Sequence, residues 1–488
     1  MYNDRILSPE LSSRVMSLSD AAAFIKPGMT LALSGFSTGY PKAIPCEILR
    51  QGTAKDLKVF SGAAKGDGLL TALAHSGMVS RFGAFQLGRE MRKTINRGEI
   101  AYSDIHLSQL AHKLKNGTYG KIDFAIVECC KIKEDGSIVP SLSAGIVDAI
   151  LDCADKVLLE VNLSIPEEIE GMHDFCSDTK VPIVNILDRL GDTLLHCDPA
   201  KIAGIVITDI PEEEIHFRDT NELYLQIAKH VVAMIKKDIE AQRLPPNFTF
   251  QSGVGGVANA VLNGFNEGNF HDLNMYTEIM ADQAFSFVKS GLVRAVTTTS
   301  LDLSTTALKE FYSDIPYYKE RIVIRPQAVT NGASYIEAMG LVAMNTAVEA
   351  DIYGNINSTN SLGTQILNGI GGSNDFCRSA ELSIFITPST AKDGAISSIV
   401  PMVTHVDNSE HDVDVIVTEY GYADLRGKSP KERVTEIIEN CAHPDYRQGL
   451  RDYYAGALEL CGPCQTPHDL ANAFSWHLRY QKTGTMRV

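Results

Sequence analysis

The segment Phe248-Thr249-Phe250-Gln251-Ser252-Gly253-Val254-Gly255-Gly256-Val257 decides the fold class. Its apolar beginning predicts a strand over 248–251, its glycines predict a tight turn, and the residues that follow predict a helix over 257–262. This order of strand, glycine turn and helix is typical of α/β proteins with a largely parallel sheet. In such sheets, ligands bind at the carboxyl ends of the strands, where this turn falls.

The same order recurs along the chain, which indicates two similar α/β halves. An earlier opening, Leu33-Ser34-Gly35, has the same form as Gln251-Ser252-Gly253. Apolar runs predict further strands at 29–34, 57–60, 124–129, 156–161, 205–208, 273–276, 295–299, 322–325, 383–386 and 415–418. Helices are predicted after a cap at Ser19, over 103–114, over 221–243, and after Ser429, where Pro430 and Glu432 complete a capping box.

The length of 488 residues exceeds one ordinary core, which favours two domains. The segment 209–220 is polar and contains three consecutive acids, and a long amphipathic helix is predicted to follow it. We therefore place the domain boundary there. The expected domains are a first α/β domain over 1–220 and a second over 221–488, the second of which contains Glu278.

The composition is that of a soluble globular protein, with 44% hydrophobic and 21% charged residues. The formal net charge of −16, without a cluster of Lys and Arg, argues against a nucleic-acid-binding surface. The first 14 residues lack the apolar core of a signal peptide, and no stretch approaches the apolar length of a membrane span. We therefore expect a cytoplasmic protein that binds neither nucleic acid nor membranes.

Most of the ten cysteines lie in apolar segments and are expected to be buried and reduced. The exception is Cys461-Gly462-Pro463-Cys464, which has the spacing of a dithiol redox motif. A helix-like run over 453–460 precedes it, whereas such motifs normally follow a strand. A redox role is therefore disfavoured, and a metal site more so, because no second pair of ligands completes a set of four.

Glu278 is the candidate nucleophile, because it lies in the sequence between two glycine turns, at 252–256 and at 368–373. Near an activated acyl group, a glutamate can form a covalent intermediate that divides one difficult transfer into easier steps. Bare glycine amides can approach an oxyanion or a phosphate closely. From the pattern alone, however, a surface carboxylate at the start of a helix is the more common explanation.

Other polar stretches have both functional and structural explanations. The glycine-dense segment 368–375 suits a phosphate or pantetheine path, with Lys392 as a nearby cation in sequence, but it could also form surface turns. The cluster 404–411 contains two histidines, although its loop composition disfavours a metal site. Glu419 ends a predicted strand and could face the site or form a buried salt bridge.

A series of short motifs follows in one order along the chain: Ser34-Gly35-Phe36, Gln251-Ser252-Gly253-Val254-Gly255, Tyr276-Thr277-Glu278, Arg325-Pro326-Gln327, Asp351-Ile352-Tyr353-Gly354-Asn355, Asn368-Gly369-Ile370-Gly371-Gly372-Ser373, Val400-Pro401-Met402 and Ala423-Asp424-Leu425-Arg426-Gly427. From about Ser19 to Gly484, the chain resembles the acetyl-CoA hydrolase/transferase family of class I CoA-transferases. Within that family, it is most similar to the succinyl-CoA:acetate CoA-transferase branch.

The resemblance implies a fold of two similar open α/β domains of the NagB/RpiA-like type, with the active site between them, in a homodimer. It implies that Glu278 attacks the acyl-CoA carbonyl and passes through a glutamyl-CoA thioester in a ping-pong reaction. Asn331 would lie near the acyl group. Coenzyme A would be substrate and covalent intermediate, with no tightly bound cofactor and no metal.

The resemblance also implies which residues contact CoA. These are Gly253, Val254, Gly255, Gly256 and Val257 at the first turn, together with Asn368, Gly372 and Lys392. The chain departs from the family pattern at Gly256, where many relatives have Asn, at Asn374, where Gly is usual, and at Tyr420, where Gln is common. The acyl specificity is the implied property that these departures affect most.

The expected function is therefore transfer of CoA from a short-chain acyl-CoA, foremost succinyl-CoA, to acetate or a similar carboxylate. Two alternatives stay open. One is a short-chain acyl-CoA hydrolase, such as an acetyl-CoA hydrolase, in which water replaces the acceptor acid. The other is a protein that binds CoA or a small metabolite without catalysis.

Overall fold

A computed structural model describes residues 4–65, 68–177, 183–213 and 221–487. Up to position 213, the strands are β1 (Thr30–Phe36), β2 (Leu57–Ala64), β3 (Val79–Gln86), β4 (Ala101–Ser103), β5 (Ile122–Ile132), β6 (Ile138–Pro140), β7 (Ala154–Asn162) and β8 (Ile202–Thr208). The helices there are α1 (Pro9–Ser12), α2 (Leu18–Ala22), α3 (Ala43–Gln51), α4 (Gly68–His75), α5 (Arg89–Asn96), α6 (Leu107–Lys115) and α7 (Val147–Cys153). Strands and helices alternate, as the apolar runs predict.

The central part of the chain continues this alternation. Its elements are α8 (Glu222–Glu240), β9 (Thr249–Ser252), α9 (Gly256–Glu267), β10 (Leu273–Tyr276), β11 (Ile279–Ala281), α10 (Asp282–Ser290), β12 (Val293–Thr298), β13 (Ser300–Asp302), α11 (Thr305–Ser313), α12 (Ile315–Lys319), β14 (Ile322–Ile324), α13 (Gln327–Thr330) and α14 (Ala333–Met339).

The remaining part contains many two-residue strands before three final helices of the described chain. Its elements are β15 (Leu341–Thr346), β16 (Glu349–Asp351), β17 (Ile356–Asn357), β18 (Asn360–Ser361), β19 (Gln365–Ile366), α15 (Ser373–Ser379), β20 (Leu382–Ile386), β21 (Thr390–Ala391), β22 (Ile396–Ser397), β23 (Ile399–Val400), β24 (Val415–Thr418), β25 (Gly421–Asp424), α16 (Pro430–Cys441), α17 (Pro444–Cys461) and α18 (Ser475–Thr483).

The described chain divides into two compact units, and neither is continuous in sequence. The first unit contains the described residues up to 213 together with Met275–Met339 and Asn368–Asp375. The second contains the rest of the described residues from 221 onward. Glu278 therefore belongs to the same compact unit as the first half of the chain.

The predicted linear division at position 220 differs from this grouping. From position 214 to 220, the polar segment that suggests the boundary lies outside the described residues. The division into sequence domains stays a prediction. The compact units show that a linear cut at 220 would separate Glu278 from the unit to which it belongs.

The first unit is built on a mostly parallel sheet with the strand order β4-β3-β2-β1-β5-β7-β8, and β6 pairs antiparallel with β5. Strand β1 is central, with Leu31 in register with Val59 of β2 and Phe124 of β5. Alternate side chains of β1 enter two different buried clusters, Leu31 and Leu33 in one and Ala32 in the other. Both faces of this sheet are therefore covered, which is the usual state of a parallel sheet.

The first unit also holds the strands around Glu278. β12 and β14 pair in parallel, and β11 pairs in parallel with β13, with Ile279 opposite Ser300.

In the second unit, the strand order is β9-β15-β20-β24-β25, with β25 antiparallel at the edge. There Val342 of β15 is in register with Phe250 and Leu382, so the unpredicted strand β15 pairs with a strand on each side.

Each predicted strand has a counterpart in the structure, whereas two helix starts are wrong. Ser17 rather than Ser19 caps α2, accepting a hydrogen bond from the amide of Asp20 at 3.1 Å. The helix predicted from 103 begins four residues later at Leu107, because the preceding residues form the edge strand β4. The capping box of Ser429 and Glu432 at the start of α16 is confirmed.

A buried ion pair supports the chain that leads to the candidate site. Arg325 connects β14 to α13, is fully buried, and forms an ion pair with Asp174. Its guanidinium also donates to the carbonyl of Asp188. Asp174 in turn accepts a hydrogen bond from the amide of Gly191 at 2.6 Å.

We expect Arg325→Ala to lower the free energy of unfolding by about 3–5 kcal/mol, because it leaves the Asp174 carboxylate buried without its partner. Urea or thermal unfolding measures the loss. Arg321→Ala is the matched control, since Arg321 pairs with Glu320, whose side chain is 79% exposed, and we expect it to cost less than about 1 kcal/mol. Equal unfolding midpoints for the two variants would contradict a supporting role for the buried pair.

Candidate active site

Glu278 lies between two short strands and not at the start of a helix. It follows β10 and directly precedes β11, while α10 begins only at Asp282. Its backbone carbonyl accepts hydrogen bonds from the amides of Thr299 at 2.9 Å and Ser300 at 3.1 Å, and from the hydroxyl of Thr298 at 3.0 Å. The helix-start explanation is therefore wrong, and three donors hold the backbone of this residue in place.

The side chain of Glu278 shares an amide group with a second carboxylate. Asn331, which follows α13, donates from Nδ2 to Glu278 Oε1 and, at 3.2 Å, to Asp375 Oδ2. Thr330 Oγ1 donates to Oδ1 of the same amide at 3.0 Å. The amide oxygen of Asn331 is thereby occupied, and its nitrogen faces the two carboxylates.

The second glycine turn approaches the Glu278 carboxylate so closely that no side chain fits at position 372. A Cβ atom added to Gly372 would overlap Glu278 Oε1 and would lie 2.6 Å from Asn331 Nδ2. Gly371 has a φ of 58°, a left-handed conformation that favours glycine. Close approach therefore requires glycine at 372, and backbone conformation favours it at 371.

Two contacts anchor this turn within the first unit. The carboxylate of Asp104 accepts hydrogen bonds from the amide of Ile370 at 3.0 and 3.1 Å. The carboxylate of Asp375 accepts from the amide of Ser108 at 3.0 Å and from its hydroxyl at 2.7 Å. The segment that contains Gly372 is thus fixed at both ends by α6 and the residues before it.

The electrostatic environment brings the titration of Glu278 to neutral pH. Burial raises the pKa of Glu278 to about 7, the hydrogen bond from Asn331 opposes this rise, and the charge of Asp375 adds to it. Burial also raises the pKa of Asp375, although the hydrogen bonds from Ser108 and the neighbouring His106 oppose the shift. A carboxylate with such a pKa is a stronger nucleophile than an ordinary glutamate and is still partly ionised at pH 7.

The first glycine turn lies in the second unit and has the predicted form. β9 ends at Ser252, and α9 begins at Gly256, one residue before the predicted start. Gly253 donates its amide to the carbonyl of Met344 at 3.2 Å, and Gly255 has a φ of 121°. The first amides of α9, a helix of 12 residues, are the groups that can receive negative charge at this turn.

Lys392 also lies in the second unit, in the turn between β21 and β22, where its side chain is exposed and its φ is 53°. The structure thus brings Glu278, Asn331 and Gly372 together in the first unit, with Asn368 at the beginning of the same glycine segment. Gly253–Val257 and Lys392 belong to the second unit. The roles assigned to these residues in CoA binding stay predictions.

Sequence reasoning missed Asp375, Ser108 and Thr330 as members of the site. Asp375 ends the glycine segment, so its proximity to Gly372 in sequence was the available signal. Ser108 and Asp375 are separated by 267 positions, and no local pattern connects them.

The structure also locates three other candidates from the sequence: Glu419, the histidine cluster and the cysteine pair. Glu419 accepts hydrogen bonds from the amide of Ser389 at 2.8 Å and from its hydroxyl at 2.5 Å, which occupies both carboxylate oxygens. His405 is half exposed and lies 3.3 Å from Asp407. Cys461 is the last residue of α17, so a helix and not a strand leads into the cysteine pair. Cys461 and Cys464 are both exposed free thiols.

Within residues 4–65, 68–177, 183–213 and 221–487, no three or more His, Cys, Asp and Glu side chains are grouped so that they could hold a metal ion. Across the same ranges, no helix combines the length and hydropathy needed to cross a membrane.

Comparison with known proteins gives full-length relatives. Residues 4–206 match the N-terminal domain of the acetyl-CoA hydrolase/transferase family, and residues 308–454 match its C-terminal domain. The chain is 42% identical to the succinyl-CoA:acetate CoA-transferase of Clostridium kluyveri, over 99% of this chain and 92% of the relative. It is 40% identical to the acetyl-CoA hydrolase of Schizosaccharomyces pombe, over 100% of this chain and 99% of the relative.

The fold is similar to that of a solved CoA-transferase. The crystal structure of 4-hydroxybutyrate CoA-transferase from Porphyromonas gingivalis aligns with a TM-score of 0.64 and 23% identity, over 91% of this chain and 98% of that one. This likeness confirms the predicted fold class of two α/β domains. Because models for both domains match and the relatives extend over the whole chain, this protein belongs to the acetyl-CoA hydrolase/transferase family.

Proposed function

We propose that the protein is a CoA-transferase that moves CoA from a short-chain acyl-CoA to acetate or a similar carboxylate, with Glu278 as the covalent nucleophile. One observation carries the proposal: the Glu278 carboxylate, with a pKa of about 7, contacts Asn331 in a space that Gly372 leaves open. Family membership supports enzymatic acyl-CoA chemistry, and the relatives include both transferases and hydrolases.

The reaction divides into covalent steps that each exchange one bond for another. A Glu278 oxygen attacks the thioester carbonyl, and the C–S bond breaks. CoA leaves as a thiolate, and an acyl-glutamyl anhydride remains on the protein. The thiolate then attacks the glutamyl carbonyl, which releases the first carboxylate and leaves a glutamyl-CoA thioester. The acceptor carboxylate attacks this thioester, and the same two steps run in reverse to give the new acyl-CoA.

The residues around Glu278 have separate roles in these steps. Asn331 Nδ2 holds one carboxylate oxygen and stabilises negative charge on it as the anhydride or thioester carbonyl becomes an oxyanion. Gly372 leaves the space in which that carbonyl is attacked. Asn368 lies in the same glycine segment as Gly372, and we propose that its polar side chain contacts CoA.

The second unit supplies the remaining CoA contacts in this proposal. Gly253–Val257 present the amide donors of the strand-to-helix turn, which suit an oxyanion or a phosphate oxygen. Lys392 is exposed and suits a phosphate as a point charge. CoA is both substrate and covalent intermediate, and no tightly bound cofactor is part of the proposal.

The choice of succinyl-CoA as donor and acetate as acceptor rests on the name of the relative from Clostridium kluyveri. The departures from the family pattern at Gly256 and Tyr420 bear on this choice. The resemblance also supports a homodimer in the cytoplasm as a prediction.

An acyl-CoA hydrolase is the second candidate, because the relative from Schizosaccharomyces pombe is an acetyl-CoA hydrolase at nearly the same identity. In that reaction, water replaces the acceptor carboxylate. The pKa of about 7 suits Glu278 as a nucleophile, and transfer further requires that water be kept from the anhydride. A protein that only binds CoA would have no use for such a carboxylate.

We expect incubation with succinyl-CoA, without an acceptor, to add the mass of CoA less one water to the peptide that contains Glu278. Borohydride should reduce this thioester to the alcohol, and Glu278→Ala should lose both the adduct and the transfer activity. Intact-protein mass and peptide mapping measure the adduct. Glu320→Ala is the matched control, since the side chain of Glu320 is 79% exposed, and it should behave as the wild type.

Product analysis separates the candidate functions. Release of CoA and free acid at equal rates with and without acetate, without an adduct, would replace transfer by hydrolysis. Binding of CoA without turnover of any short-chain acyl-CoA would contradict both enzymatic functions.

We expect Gly372→Ala to lower kcat about 100-fold, because a Cβ atom would displace the Glu278 carboxylate and a displacement of about 1 Å has this cost. Steady-state kinetics measure the loss. Gly456→Ala in α17 is the control, because a Cβ atom there has no neighbour within 4 Å. Wild-type kcat in Gly372→Ala would show that the glycine segment does not limit the position of the carboxylate.

We expect the transfer rate to fall as the pH decreases through about 7, because protonation removes the nucleophilic form of Glu278. The stability of the folded protein gives a second test, because the contribution of Glu278 to it changes with pH in the opposite direction to the transfer rate. Between its ordinary pKa of 4.5 and about 7, Glu278 keeps a proton in the folded protein that the unfolded chain has released, so its contribution to stability decreases with rising pH. Glu278→Gln should therefore raise the unfolding temperature at pH 8 more than at pH 5, and an equal effect at both would contradict the raised pKa.

A further inference from the structure

We propose that Asp375 is a positioning residue for the nucleophile: it holds the Asn331 amide against the Glu278 carboxylate. The proposal deepens the function proposed above and rests on it for the kinetic part of its test. Asp375 does not touch the reacting atoms in this proposal. It acts through Asn331, the group that the two carboxylates share.

The geometry of the shared amide is the first support. Asn331 Nδ2 has two hydrogens, and the structure directs one to Glu278 Oε1 and one to Asp375 Oδ2, the latter at 3.2 Å. The hydroxyl of Thr330 occupies the amide oxygen at 3.0 Å. Both N–H groups and one of the two lone pairs of the oxygen are therefore used, which fixes the orientation of the amide, and Asp375 sets one side of it.

The anchoring of Asp375 is the second support. Its Oδ1 accepts from the hydroxyl of Ser108 at 2.7 Å, and its Oδ2 accepts from the amide of Ser108 at 3.0 Å. The side chain of Asp375 is only 7% exposed. Ser108 lies in the first turn of α6. This helix therefore holds Asp375, which in turn holds Asn331 against Glu278.

Besides burial, neighbouring charged groups shift the pKa values of Glu278 and Asp375. Asp375 is the charged group that raises the pKa of Glu278, in addition to burial. His106, whose Nδ1 lies 3.7 Å from Asp375 Oδ1, opposes the rise in the pKa of Asp375. The carboxylate of Asp104 lies on the other side of the glycine segment, where it accepts from Ile370. Repulsion between Asp375 and Glu278 is relieved when Glu278 becomes an uncharged anhydride or thioester, so Asp375 favours the covalent intermediates over the free carboxylate.

Asp375→Asn is the decisive variant, because an amide oxygen at the Oδ2 position can still accept from Ser108 and Asn331 while the charge is removed. We expect the acidic limb of the pH–rate profile to move to lower pH by about one unit. We expect kcat at the optimum to fall, with little change in KM for the acyl-CoA. Asp375→Ala should lower kcat further, by about 100-fold, since it also releases the Asn331 amide.

Asp104→Asn serves as the matched control, because Asp104 anchors the same glycine segment without contacting Asn331. It should leave the acidic limb in place. If Asp375→Asn keeps the wild-type limb and the wild-type kcat, or if Asp104→Asn moves the limb equally, the proposal is overturned in favour of a purely structural anchor.

A measurement without turnover separates this proposal from the proposed function. The protonated carboxyl band of Glu278 in infrared difference spectra is identified as the band that Glu278→Gln loses, and its titration is followed in wild type and in Asp375→Asn. A shift of this titration to lower pH in Asp375→Asn supports the coupling even if no acyl-CoA is turned over. An unchanged titration overturns it even if the protein is a CoA-transferase.

Discussion

Withdrawing the Glu278 carboxylate from water costs free energy, and protein dipoles must replace the hydration that it loses. Within the described part of the chain, the amide nitrogen of Asn331 donates to the carboxylate, and a second carboxylate, Asp375, accepts from the same nitrogen. The remaining cost appears as the pKa of about 7. In the proposed reaction, this cost favours attack by Glu278, because a poorly solvated carboxylate gains more from forming a covalent bond than a well-solvated one. The hydrogen bonds to the Glu278 carbonyl and the anchoring of the glycine segment serve to hold this unfavourable arrangement in place.

The same arrangement explains the shape of the first unit. A glycine must approach the carboxylate, and that glycine belongs to a segment, Asn368–Asp375, that is far along the chain from the strands around Glu278. Asp104 and Ser108 hold the segment at its two ends. The buried pair of Arg325 and Asp174 supports α13, which ends directly before Asn331. Each group that contacts the carboxylate therefore has its own attachment to the unit.

The parts of the fold and site that the sequence predicts are those with local signals. Apolar runs between turns locate the strands, the glycines of 252–256 locate the turn before α9, and the family resemblance implies roles for Glu278 and Asn331. Strand β15 was missed because Gly340 alone separates its apolar run from the residues of α14, so no polar turn marks its beginning. Asp375 and Ser108 were missed because a contact between residues 267 positions apart leaves no trace in either local pattern. The grouping of residues 275–339 with the first part of the chain was missed for the same reason, because it depends on packing between residues that are far apart in sequence.

The discontinuity of the first unit sets the order in which the parts of the proposed site are synthesised. A nascent chain that has emerged as far as residue 339 already contains the nucleophile and Asn331, but it lacks the segment Asn368–Asp375 that belongs to the same unit. Until that segment arrives, the carboxylate has neither the glycine wall nor the charge of Asp375 beside it. The proposed site can therefore be complete only after about three quarters of the chain has been made, and its assembly requires the closure of a long loop, which is an entropic cost.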